Sequence, residues 1–178
     1  MSSPWSPLRI RVFRALWIAG LVSNIGTFMH IAAAGWTMTT LTESPTLVGL
    51  VQTAWAVPGF LLALHAGAFA DMVDRRRLIA ITQVVALIIA GVLAVMQWSD
   101  LLSVNWLLAG TFFESIALTI SAPAFMALTP EIVDVEHLPQ AIGLDSISRN
   151  IAQSVGPALA GLLIALFNPG AVFALNAF

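Results

Sequence analysis

The 178-residue sequence predicts an all-α membrane protein, a bundle of transmembrane helices. Three observations carry this. Apolar residues make up 59% of the chain and charged residues 9%, against about 45–50% and about 25% in a soluble domain. So few charges cannot coat a water-soluble globule of this size. The charges are also segregated: residues 15–42, 44–70, 78–99 and 150–178 hold no Asp, Glu, Lys or Arg, and residues 101–130 hold only Glu114. Each run reaches the roughly 20 residues that cross a bilayer as a helix. Each is also far longer than the about 9–11 residues of a barrel strand, and lacks that strand's alternation.

Taken in order, residues 1–14 form a short N-terminal arm carrying Arg9, Arg11 and Arg14, and residues 15–178 form the bundle. Helices are expected near 15–41, 47–69, 78–97, 103–128 and 141–167, with a sixth starting at 171 and still running at 178. The arm, the apolar run and Ala32-Ala33-Ala34 are similar to a signal peptide. A signal peptide's apolar region is only about 7–15 residues, so the first run reads as a span. Pro58 and Pro157 fall inside spans, where neighbouring helices re-satisfy the freed carbonyls. The connections at 42–46, 98–102 and 168–170 are short and should set consecutive helices side by side and antiparallel. The longest connection is 129–140. Arg9, Arg11, Arg14, Arg75, Arg76, Arg77 and Arg149, which opens span 5, then all fall on one side. Arginine marks the cytoplasmic side, so the N-terminus is expected to be cytoplasmic, in a plasma or inner membrane. Trp17, Trp98 and Trp106 take interfacial positions.

Two small-residue stripes mark helix contacts. Ser148, Ala152, Gly156 and Ala160 recur at i+4 on span 5, and Gly59, Ala63 and Gly67 on span 2. Such stripes let backbones approach closely.

Ionisable groups at depth are the candidate functional residues, because a charge inside a bilayer is expensive. Glu114 lies mid-span 4 and His30 mid-span 1. On span 1, Ser23, Thr27, His30, Ala34 and Thr37 form one stripe, next to Asn24. On span 4, Thr111, Glu114, Ser115 and Ser121 share a broad face. Two readings of Glu114 stand: a proton or substrate group in a cavity, and hydrogen-bonded glue between helices. His65 reads as packing or an interfacial contact. With three dispersed His and no Cys, no metal site is visible. No nucleotide-binding or hydrolase motif occurs, so neither a cofactor nor enzyme chemistry is expected. Seven arginines against nine acidic residues also argue against a nucleic-acid partner.

Gly67-x-x-x-Asp71-x-x-x-Arg75-Arg76, between spans 2 and 3, resembles the signature loop of the major facilitator superfamily, with Asp74 where that family often has glycine. The resemblance implies a conformational latch of Asp71 and Arg75, with Glu131 as a third member. Gly67 would leave room for a second helix. Gly156, Pro157 and Gly161 resemble the Gly-Pro motif of family antiporters. Leu41 to Pro45, Leu50 to Gln52, and Gly156 to Gly161 followed by Asn176-Ala177 resemble the branch holding the enterobactin exporter and the transmembrane secretion effectors. By that resemblance spans 1 and 4 line a central cavity, and the family's frequent span-4 arginine is absent near Thr111. The chain would be an incomplete N-terminal half of a twelve-helix fold, exporting small, partly apolar molecules by proton antiport. It would then need a C-terminal half or a second copy. The alternative is a half-size or accessory membrane protein without transport of its own.

Overall fold

The structure is a computed structural model that describes residues 4–177. A short 3-10 turn, Ser6–Arg9, leads into α1 (Arg11–Leu41), α2 (Pro45–Met72), α3 (Arg75–Trp98), α4 (Val104–Ile132), α5 (Leu138–Leu166) and α6 (Pro169–Asn176). Among the described residues there is no strand. α1, α2, α3 and α4 are each long and apolar enough to cross a membrane. α5 is as long, at 29 residues, but its first half carries Gln140, Asp145, Arg149 and Asn150 and is correspondingly less apolar.

The helix ends follow from local chemistry. Proline stands in the first turn of α2, α5 and α6, where its missing N–H costs no hydrogen bond. The Asp74 carboxylate accepts from the Arg77 amide at 2.9 Å and caps α3. That hydrogen bond holds its carboxyl below the usual carboxylate range. Asn168 caps α6, accepting from the Ala171 amide at 3.2 Å, and its side-chain oxygen also accepts from Trp98 Nε1 at 3.0 Å. Most helices run a few residues past the apolar runs, because backbone hydrogen bonding continues where side chains already reach water. Thus α3 takes in Arg75, Arg76 and Arg77, and α4 continues through Pro130. Arg149 does not open α5; three turns precede it.

The helices choose partners by face rather than by chain order. The most extensive contacts join α1 to α5, α2 to α4, and α3 to α4, whereas α2 and α3 barely touch, nor do α4 and α5. Across the three short connections that predict side-by-side neighbours, α1 and α2, α3 and α4, and α5 and α6 do touch, but the broad α1–α5 and α2–α4 contacts join helices that are not consecutive. A short loop fixes only the ends of two helices about 25 to 30 residues long, and the stripes decide the rest. On α5, Ser148, Ala152, Gly156 and Ala160 are all buried. A Cβ at Gly156 would meet Phe28 Cβ at 2.7 Å, the Ile25 carbonyl oxygen at 3.1 Å and the Met29 nitrogen at 3.2 Å. The α2 stripe behaves differently: nothing lies within 4 Å of a Cβ at Gly67, and Ala63 is exposed. α2 instead buries Val51, Pro58, Ala66 and Ala70.

The main apolar cluster joins all six helices through Met38 of α1, Val51 of α2, Leu93 of α3, Leu107 of α4, Ala160 of α5 and Phe173 of α6. A second cluster, Phe13, Val133, Ala141 and Leu144, closes the opposite end. There Trp17 Nε1 donates to the Leu144 carbonyl at 2.9 Å, tying α1 to α5.

Candidate functional site

Glu114 sits on α4 where α1, α4 and α6 meet. Its side chain points into the bundle, and the residue is 1% exposed. Asn176 Nδ2 of α6 donates to Glu114 Oε1 at 2.6 Å. His30 of α1, fully buried, brings Nε2 to 3.1 Å from Glu114 Oε2. That approach is at ion-pair distance but off the line of a hydrogen bond, so both atoms stay without a hydrogen-bond partner among the described residues. The Phe173 ring of α6 lies against the His30 imidazole, with centroids 5.1 Å apart.

Two further polar atoms in the α1 and α4 helices are buried and unpartnered, Thr111 Oγ1 and Thr37 Oγ1. A buried polar atom left unsatisfied costs about 1–3 kcal/mol, and a cluster of them asks for a reason beyond folding. A carboxyl, an imidazole and an amide in one dry site can hold, pass or release a proton, and can redirect their hydrogen bonds when a helix shifts.

The local sequence explains the arrangement. Thr111 and Glu114 are one turn apart on α4, so both face inward. Ser115, one step round, faces α2 instead and donates to the Trp55 carbonyl at 2.5 Å. It does so beside Pro58, whose missing N–H breaks the regular α2 ladder. Gly26 opens the space for Asn176: a Cβ there would lie 2.7 Å from Asn176 Oδ1.

Of the sequence-predicted residues, the fold brings Glu114, His30 and Thr111 together. Asn24 faces α5, where its Nδ2 donates to Ser148 Oγ at 3.3 Å. Thr27 is half-buried on α1, one turn before His30. The α4 polar face splits between α1/α6 and α2 rather than lining one surface. His65 is exposed. Asn176 and Phe173 were not singled out as site residues. The available signal was that Asn176 is the one polar side chain in the stretch 171–177.

The loop motif lies at the far end of α4. Arg75 Nη1 pairs with Glu131 Oε1, joining the start of α3 to the end of α4. Arg76 is exposed. Asp71 ends α2, but its side chain lies outside the described residues. On α5, Gly156 is buried against α1, whereas Pro157 and Gly161 are exposed, with nothing within 4 Å of a Cβ at Gly161.

Comparison with known proteins decides the family. The family described as transmembrane secretion effector matches residues 2–178. The chain belongs to that family. Its relatives are transporters of the major facilitator type. It is 27% identical to the staphyloferrin A transporter of Staphylococcus aureus over 84% of this chain and 38% of that one. It is 24% identical to macrolide efflux protein A of Streptococcus pyogenes over 92% of this chain and 40% of that one. It is 28% identical to the enterobactin exporter of Shigella boydii over 86% of this chain and 37% of that one. The chain therefore spans well under half the length of these curated relatives. No solved structure matches it significantly. The family and the apolar helices make this a multi-pass membrane protein of a transporter family.

Proposed function

We propose that the chain is part of a proton-coupled exporter of small, partly apolar molecules that works by alternating access. It lies in the cell membrane with its N-terminus cytoplasmic. The observation that carries the reading is Glu114, an acid buried mid-helix with His30 and Asn176 as its neighbours. An intramembrane acid of this kind marks a proton or substrate pathway by default. Glu114 carries the coupling proton. Asn176 holds one of its oxygens in the dry state, His30 stands at ion-pair distance from the other, and Thr111 offers a hydroxyl on the same helix face. Thr27, one turn before His30, continues the polar path along α1 toward the arginine end. The relatives named for staphyloferrin A, macrolide and enterobactin transport support a small-molecule cargo.

Arg75 and Glu131 form the latch that holds one conformation, and Asp71 and Arg76 belong to it as members of the same loop motif. Gly156 sets the close α1–α5 contact that a shift would slide, while Gly67 and Gly161 leave open space beside their helices and Pro157 loosens the α5 ladder. Alternating access rocks two repeats around a midplane site. The second repeat comes from further chain or from a second copy.

The test is Glu114→Gln, which mimics the protonated acid permanently. In proteoliposomes containing the intact protein, the variant is expected to bind substrate but to lose pH-driven uphill transport, keeping at most downhill exchange. Glu114→Asp is expected to be milder. Uphill transport by Glu114→Gln at wild-type rate and pH dependence would make Glu114 structural glue and overturn the proposal.

A further inference from the structure

A furrow of about 570 Å³ runs between α3 and α4 on the outside of the bundle. Its lining is almost wholly apolar, with Ile81, Val85, Ile88 and Val92 on α3 facing Phe113 and Ala117 on α4. The α3 wall extends from Leu78 to Met96. At 1.5 Å per residue that is about 27 Å, close to the roughly 30 Å of a bilayer's hydrocarbon core. An acyl chain entering from one leaflet covers about half of that core, so it fits along the half of the wall that starts at Leu78.

The chemistry at one mouth says more. Ile81, Val85, Ile88 and Val92 share one face of α3, and the residue one turn before Ile81 on that face is Arg77. Arg77 is exposed. Arg75 pairs with Glu131 and Arg76 falls on a different face, while Asp74 caps α3 through the Arg77 amide and lies close enough to feel the Arg77 charge. Residues 71–77 carry three Arg against two Asp, a net of +1. A guanidinium binds a phosphate in a two-pronged geometry.

We propose that this furrow seats one phospholipid with an anionic headgroup, its phosphate at Arg77 and one acyl chain between α3 and α4. The site is separate from the Glu114 cluster and stands whether or not the transport reading does.

Native mass spectrometry of the intact detergent-solubilised protein tests it. The protein is offered equal amounts of phosphatidylglycerol and phosphatidylcholine with identical chains. Phosphatidylglycerol should be retained about fivefold over phosphatidylcholine, the preference one basic residue at a membrane surface supplies. Arg77→Gln should bring the ratio close to one, and Arg77→Lys, which keeps the charge but loses the two-pronged geometry, should keep only part of it. Arg11→Gln removes an equal charge from the start of α1 and should leave the ratio unchanged. Val85→Trp fills the furrow from an exposed position and should lower retention of both lipids severalfold. Parity in the wild type, an equal loss from Arg11→Gln, or undiminished retention by Val85→Trp would each overturn the site. A lipid-free dimer that Val85→Trp dissociates would overturn it too, by placing a second copy in the furrow.

Discussion

Gly156 and Gly161 stand five residues apart on α5 and do opposite things. The sequence presents both, with Pro157 between them, as one motif. In the fold, a Cβ at Gly156 would strike backbone atoms of α1, whereas a Cβ at Gly161 would meet nothing within 4 Å. Backbone atoms cannot swing aside as a side-chain tip can, so α1 and α5 would have to separate. Gly156→Ala should therefore destabilise the protein by about 1–3 kcal/mol, the usual cost of overpacking. Gly161→Ala should be neutral or stabilising by up to about 1 kcal/mol, through helix propensity alone. Thermal unfolding in detergent reads both, and equal losses would refute the assignment of α5's packing face. Residue identity could locate the stripe but not decide which of two glycines it served. That took the i+4 register of Ser148, Ala152, Gly156 and Ala160, which Gly161 does not share. Glu114 and His30 were legible for a simpler reason: an ionisable side chain stands out in a run without charges. Asn176 was less visible because an amide at the edge of an apolar run also reads as an ordinary interfacial residue. Its meeting with Glu114 depends on Gly26, 150 residues away in sequence (26 to 176).

At the scale of elements, the helices overlap the apolar runs, because hydropathy reports where lipid or core must cover the chain. The runs said little about which helix meets which. α2 and α3 are joined by a tight turn yet hardly touch, while α3 and α4 pack closely. The pairing of Arg75 with Glu131 is accordingly a tie between α3 and α4 at their arginine end. Both side chains are partly exposed, and exposed pairs contribute about 0–1 kcal/mol to stability. The tie should therefore matter to conformational balance more than to folding. Arg75→Glu alone should leave the unfolding temperature within a few degrees of wild type but shift the distribution between open states. Adding Glu131→Arg should restore it. Distances between spin labels on α3 and α4 would read the distribution. A single variant that unfolds the protein, or a charge swap that restores nothing, would count against the latch.

At the scale of the molecule, the arginines predict an orientation. α1 and α3 start at the same end of the bundle, so Arg9, Arg11 and Arg14 share a side with Arg75, Arg76 and Arg77, while the α1–α2 and α3–α4 connections carry only Glu43 and Asp100. The early start of α5 moves Arg149 three turns into that helix, which weakens its vote but leaves the other six unopposed. Positive residues in short loops are retained on the cytoplasmic side, so Asp134, between α4 and α5, should be internal and Glu43 external. The chain contains no cysteine, so single substitutions report without background. Both positions are exposed and lie outside the helices, so Glu43→Cys and Asp134→Cys should leave the bundle intact. In whole cells a membrane-impermeant maleimide should label position 43 and spare position 134 until the membrane is opened. Labelling of 134 and protection of 43 would invert the protein. It would also put the Arg75–Glu131 tie on the outside, where Glu114 would face the opposite proton reservoir through that end of the bundle.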